Sequence, residues 1–340
     1  MATAALGHDV ESRWLVPAGL ALFVLFGLLM SWAEPWVAPL AAQQKALLLE
    51  RFAEGGPLGY AFGATHGAAW IGIVILLRPM ALLVMVVLFE AWLTRGQPRP
   101  QDRLLAWTAR GLFLTVTYLT DMALGRYFTF LPGPLFDFAG PASPSALRTL
   151  EMGLLLLLSL LVADFFQYWA HRAYHRFALL WRFHAVHHAP RRLDVLHNFE
   201  HPVEAVFSWF LIAAPANLVI AGVDSSQLDL LAAFFLVQND LVHTKARIHL
   251  GPLGRLLTDN RYHFIHHSRD PAHFNTNFAA IFPPIDRLFG TYCPPGDSLP
   301  ETGLDDRLPP TRLTHYFLAN LPRAGAVSNH RHQPAREPSA

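Results

Sequence analysis

The sequence has one cysteine, Cys293, among 340 residues. That excludes an internal disulfide framework and any cysteine-rich zinc site, so a metal here has only histidine and carboxylate to bind it. Charge is scarce too. Asp, Glu, Lys and Arg make up 15% of the chain, against about 25% in an ordinary soluble domain. The net charge of +1 removes any bulk electrostatic case for nucleic acid. Several catalytic signatures are missing as well. His171 is followed by Arg172, which rules out the His-Glu-x-x-His zinc protease motif. No carboxylate falls inside a histidine cluster, which rules out a bundle built on Glu-x-x-His. There is no Gly-x-Ser-x-Gly and no Walker motif.

What is present is apolar and histidine-rich. Hydrophobic residues make up 53% of the chain and are concentrated in runs. Trp14–Trp32 has the length of a bilayer crossing and no small-residue cleavage site, so it is expected to be a retained helix. Ala69–Leu93 is a second span, interrupted by Arg78-Pro79, which can mark the true helix start. Gly111–Leu124 is a weaker third, because it contains Asp121. Leu150–Val162 is strongly apolar and continues as helix into Asp164–His175. Val203–Val223 and Leu228–Val242 are expected to form a re-entrant helical hairpin. Arg95, Arg99, Arg103 and Arg110 form one basic segment; Arg172, Arg176, Arg182, Arg191 and Arg192 form another. Both are expected on the cytoplasmic side. The fold expected is therefore an all-α integral membrane protein. It has about four transmembrane helices, the hairpin, and a cytosolic, helical, histidine-rich cap for two metals. Residues 1–148 are read as N-terminal membrane helices and loops, 149–295 as the catalytic domain, and 296–340 as a partly disordered tail.

Twelve of the eighteen histidines lie between Asp164 and His267. His171 and His175 are four apart, which places both on one helix face. His184, His187 and His188 stand at i, i+3, i+4, and His263, His266 and His267 repeat that spacing. His243 stands between the clusters. Neutral imidazole is the commonest nitrogen ligand for Zn, Fe, Cu or Ni. Nine such residues are too many for one ion and about right for two. Isolated histidines, such as His8, His66, His315, His330 and His332, are read as having no metal role. Asp164 shares a stripe with Tyr168, His171 and His175, which makes it a candidate acceptor for a ligand's outer N–H. Asn239 and Asp240, and Asp259 and Asn260, stand at matching offsets before His243 and His263. They are read either as such partners or as helix caps. His201 is a tentative tenth ligand, with His197 and His249 less favoured.

These boxes, in this order, resemble the fatty acid hydroxylase/sterol desaturase superfamily of membrane enzymes. The residues that carry the resemblance are Asp164…Tyr168…His171-Arg172-Ala173-Tyr174-His175 and Trp181-Arg182-Phe183-His184-Ala185-Val186-His187-His188. His201-Pro202-Val203-Glu204, His243, Gly251-Pro252-Leu253 and His263-Phe264-Ile265-His266-His267 follow, and then Asp286-Arg287-Leu288-Phe289-Gly290-Thr291-Tyr292. The resemblance covers about residues 85 to 295. It implies two iron ions that activate O2 to hydroxylate or desaturate a lipid. It also implies a separate electron donor, cytochrome b5-like or a ferredoxin with its reductase. Its implied ligands are His171, His175, His184, His187, His188, His243, His263, His266 and His267. The chain departs from the family at Thr244-Lys245 and at Asn277–Ile285, where the family's usual Gly and Trp are replaced. A bacterial inner membrane with the histidines facing the cytoplasm is the expected location. The rival readings are a non-redox, histidine-rich metal-binding membrane protein and a pseudoenzyme. A transporter would place its polar ligands within the spans, whereas these cluster after them.

Overall fold

The computed structural model describes residues 79–94, 103–127, 136–137, 145–221, 225–246, 248–304 and 310–318. The expected span Trp14–Trp32 and the far C-terminal tail lie outside them. The regular structure of the described residues is helical, apart from a two-residue parallel pairing of Phe136–Asp137 with Ile220–Ala221 and a single antiparallel bridge between Ser268 and Thr302.

Of the expected span Ala69–Leu93, residues 79–93 are described and helical (α1, Pro79–Leu93), while residues 69–78 lie outside the described residues. Helix α2 (Arg103–Tyr127) is longer than the expected third span. It starts within the segment read as a basic loop, so residues 103–110 are helix and not loop, and Arg110 is 1% exposed, inside the protein. An arginine is tolerated there because it is ion-paired with Glu200 and Asp240, contacts too distant in the chain to read from a local charge pattern.

Helix α3 (Ser145–Arg176) runs unbroken from the apolar stretch through His171 and His175. Leu154, Leu157, Leu158, Leu161, Phe165 and Trp169 line its exposed side. They recur at helical spacing, which makes one continuous apolar stripe. Its last turn carries Arg172 over the Trp169 ring, 5.5 Å from the centroid. A short break at Phe177 leads into α4 (Ala178–His188).

Next comes α5 (Pro202–Ser208), a π-helical turn at Trp209–Ala213 and α6 (Ala214–Val219). Pro215 can donate no N–H, and the widened turn lies directly before it. Helix α7 (Ser225–Val242) ends at His243, and α8 (Asn260–His266) carries the last cluster. Helices α9 (Pro283–Leu288) and α10 (Leu313–Leu318) follow. Among the described residues two stretches are long and apolar enough to cross a membrane, Gly153–Arg176 and Pro202–Val219. The first arm of the expected hairpin thus has the length of a full crossing.

The core lies where these helices meet. Ala106 and Ala109 of α2 pack with Val186, Leu196, Phe199 and Tyr316. Tyr168 packs with Phe278 and Ala279, and its ring stacks on Phe289 at 5.2 Å. The segment after Pro294 includes an ordered piece. Glu301 O accepts from Arg269 N at 3.0 Å, Thr302 Oγ1 donates to Pro190 O at 3.0 Å, and Leu304 packs on Trp181 and Ala185. Gly303, at φ +108°, lets this strap pass Arg191, where any Cβ would come within 2.8 Å.

Candidate metal centre

Four elements deliver imidazoles to one buried place. α3 supplies His171 and His175; α4 supplies His184, His187 and His188; the end of α7 supplies His243; and α8 with its C-cap supplies His263, His266 and His267. They sort into two groups. His171, His175, His184, His188 and His266 form one, and His187, His243, His263 and His267 the other. Within each group the ligand nitrogens all lie within 4.8 Å of one another. The sorting crosses the sequence clusters: His187 separates from its neighbours on α4, and His266 from its own on α8.

The outer nitrogens fix how the rings face. His171 Nδ1 donates to Phe278 O at 2.9 Å, His187 Nδ1 to Phe199 O at 3.1 Å and His266 Nδ1 to Thr276 O at 2.8 Å. His243 Nδ1 donates to Asn239 O, and His184 Nδ1 to Glu204 Oε2 at 2.8 Å. A carbonyl only accepts, so Nδ1 carries the proton wherever a carbonyl is the partner, and a neutral ring then presents Nε2 as a lone pair. His187 and His243 are both in this state, yet their Nε2 atoms lie 3.4 Å apart. Neither can donate to the other. A shared cation satisfies both, which is how ligating histidines are ordinarily held. His171 Nε2 and His266 Nε2 are buried with no hydrogen-bond partner among the described residues. They need the same answer, because an unpartnered buried polar atom is costly. The donor set therefore fits a metal in each group. Burial holds His184, His187, His188, His263, His266 and His267 well below the ordinary imidazole range, and neighbouring rings add to it. Burial takes His243 down to about 3 against the opposing pull of its Asn239 bond. These rings are neutral at pH 7, as ligands must be.

Asp164 takes a different role from the expected one. It bonds no histidine; its carboxylate accepts from Ala280 N (2.8 Å), Ile281 N (3.1 Å) and Phe282 N (2.7 Å). Asp286 accepts from Phe278 N and Ala279 N, both at 2.8 Å, from Thr291 Oγ1 at 2.7 Å and from the Tyr262 hydroxyl. Together they hold the 278–282 stretch whose Phe278 carbonyl orients His171. Asn277 sits at φ 58°, a conformation that asparagine tolerates better than most residues.

His201 stands in neither group. Its Nδ1 accepts from Val203 N at 3.2 Å, capping α5, and its ring stacks on Tyr316. Glu204 Oε1 accepts from His201 N at 3.1 Å while Oε2 holds His184. The His-Pro-Val-Glu segment is thus a capping box whose glutamate also orients a ring. The i, i+3 spacing is legible in the sequence, but the partner is not. His197 pairs with Asp194 at 2.7 Å, and His249 Nδ1 accepts from Gly251 N; neither joins a group. Asp259 caps α8 by accepting from Tyr262 N at 3.1 Å, and Asn260 bonds Ile248 N and Thr244 O. Asp240 pairs with Arg110. The residues that sequence reasoning missed are Arg110 and Glu90. Glu90 accepts from Thr244 Oγ1 at 3.0 Å and from Lys245 N at 2.9 Å.

Residues 156–291 match the family model described as fatty acid hydroxylase. Among curated proteins, the chain is 32% identical over 142 residues to alkylglycerol monooxygenase from Danio rerio, covering 42% of this chain and 31% of that one. It is 31% identical over 172 residues to an ornithine lipid hydroxylase from Rhizobium tropici, covering 50% of each. It is 27% identical over 165 residues to a very-long-chain aldehyde decarbonylase from Arabidopsis thaliana, covering 45% of this chain and 26% of that one. The chain thus spans from about a quarter to half the length of these relatives. No solved structure matches it. The ordered histidine boxes and the family match fall on the same residues, and over this segment the chain is similar to the fatty acid hydroxylase family.

Proposed function

We propose that the chain is a membrane-bound di-iron oxygenase that uses O2 and external electrons to hydroxylate or desaturate a lipid. The lipid is a sterol, a fatty acyl chain or a related isoprenoid or ether lipid. The proposed ligands are His171, His175, His184, His188 and His266 for one iron, and His187, His243, His263 and His267 for the other. The observation that carries the reading is the pair of buried imidazole groups with lone pairs turned inward. Relatives named as a monooxygenase and a lipid hydroxylase support the reaction class.

Two irons held here would supply the activation of O2 and the oxidation of a C–H bond. The protein's own residues do the rest. Carbonyls of Phe199, Asn239, Thr276 and Phe278, with the Glu204 carboxylate, hold the Nδ1 protons and keep each Nε2 inward. The exposed apolar stripe of α3 runs to Trp169, within a turn of the histidines, which lie on the buried face of the same helix. A lipid lying along it is delivered sideways from the hydrocarbon to the level of the histidines. Orientation of one carbon at the site then selects where reaction occurs.

Within this reading, residues 1–148 form the membrane-embedded N-terminal part, 149–295 the catalytic domain and 296–340 the tail. Electrons come from a separate cytochrome b5-like or ferredoxin-type donor. The protein sits in a bacterial inner membrane as a multi-pass protein with the histidines toward the cytoplasm.

The test is lipid-dependent O2 uptake by the iron-loaded protein in nanodiscs with a chemical reductant, with labelled oxygen traced into extracted lipids. Uptake that needs lipid and disappears in His187→Ala supports the proposal. No uptake with any lipid class, from protein carrying two irons, refutes it.

A further inference from the structure

An arginine upstream of the family-matching segment reaches the four-histidine group without belonging to it. Arg110 lies on α2, its side chain fully enclosed. Its Nη1 donates to Glu200 Oε2 at 2.7 Å and its Nη2 to Asp240 Oδ1 at 2.6 Å. Ala106 and Ala109 on the same helix are fully buried against Val186 and Phe199. Their small side chains let α2 come close enough to place a guanidinium there.

The two carboxylates occupy corresponding positions. Glu200 directly follows Phe199, whose carbonyl accepts from His187. Asp240 directly follows Asn239, whose carbonyl accepts from His243. Both rings belong to the same group of four, and they face each other. Tyr316 steadies the first arm by donating its hydroxyl to Glu200 O. The five-histidine group is oriented by other contacts: Glu204, Phe278 and Thr276.

We propose that Arg110 is a positioning residue for the four-histidine metal site. Its planar fork bridges Glu200 and Asp240, and so sets the separation of the Phe199 and Asn239 carbonyls and of the rings they hold. One metal site is thereby tied to a helix outside the family-matching segment, while the other is not. The inference rests on the reading that the nine imidazoles hold two metals. A lysine keeps the charge but offers a single ammonium in place of a fork, so it cannot grip both carboxylates in the same geometry.

The test uses the full chain in detergent, loaded with Co2+, with the metals withdrawn by a graded chelator. Wild type, Arg110→Lys and Arg110→Met are compared. Wild type is expected to hold two ions. Both variants are expected to release one ion at about 10–100-fold lower chelator concentration, the usual cost of disturbing a ligand's outer support, and to keep the other at the wild-type concentration. The visible bands of the released ion should be those lost in His243→Ala. Two ions held with wild-type sensitivity in both variants would overturn the proposal. So would parallel weakening of both ions, which is what general damage to the fold produces. Should Arg110→Met not accumulate, Arg110→Met/Glu200→Gln/Asp240→Asn buries no unpaired charge and carries the same expected result. A wild type that binds no pair of ions would instead defeat the reading on which this rests.

Discussion

Glu204 holds two elements at once: one oxygen accepts the His201 N–H at the start of α5, and the other accepts His184 Nδ1–H. Glu204→Ala should weaken metal binding at the five-histidine group by about 10–100-fold, the usual effect of deleting a ligand's carboxylate partner. A competition titration against a chromophoric chelator reads this directly; unchanged affinity would mean that the Glu204 contact does not support the site. His201 is instructive by contrast. By residue type it is as good a ligand candidate as the others, but its Nδ1 is taken up by the α5 cap and its ring by Tyr316. Asp164 differs in another way. It lies on the expected stripe, yet it serves the metal site only through the 280–282 backbone. Asp164→Ala leaves three peptide N–H groups without their acceptor and should destabilise the protein by about 2–4 kcal/mol, read as a lowered thermal midpoint in detergent.

Periodic features were legible in the sequence. The i, i+3, i+4 clusters do lie on α4 and α8, and His171 and His175 share the end of α3. These follow from local geometry, which a sequence carries on its face. What was not legible depends on the crossing of elements. The split of His187 from His188, and of His266 from His267, between two groups requires α4 and α8 to face each other in one particular register. Arg110 looked like a loop arginine because its partners are 90 and 130 residues away. The carbonyl acceptors have no side-chain signature at all. The strap at 301–304 gave no sign beyond Gly303, whose need becomes visible only when Arg191 is beside it.

Taken as a whole, the molecule buries a cluster of neutral imidazoles, and this makes its stability depend on pH. Burial lowers the pKa of His184, His187, His188, His243, His263, His266 and His267 in the fold, whereas unfolded imidazoles titrate near about 6.5. Above that pH neither state is protonated, and these groups add no pH dependence. Below it the unfolded chain takes up protons that the fold refuses. Stability of the metal-free protein then falls as pH falls, by up to about 1.4 kcal/mol per pH unit for each such group. For His243 the loss continues down to about pH 3. Thermal melts of chelator-treated protein between pH 8 and 5 should show a plateau and then a steep decline; a flat profile would mean that the rings are hydrated and not enclosed. The central claim, that two irons occupy the nine imidazoles, is tested most directly by counting metal. Protein expressed with iron supplied and purified in detergent should carry close to two iron atoms per chain, and the His187→Ala variant fewer. Zinc in place of iron calls for reconstitution before the count, because nitrogen sites prefer zinc to ferrous iron. Folded wild-type protein that binds no metal, even after reconstitution with iron, would contradict the account.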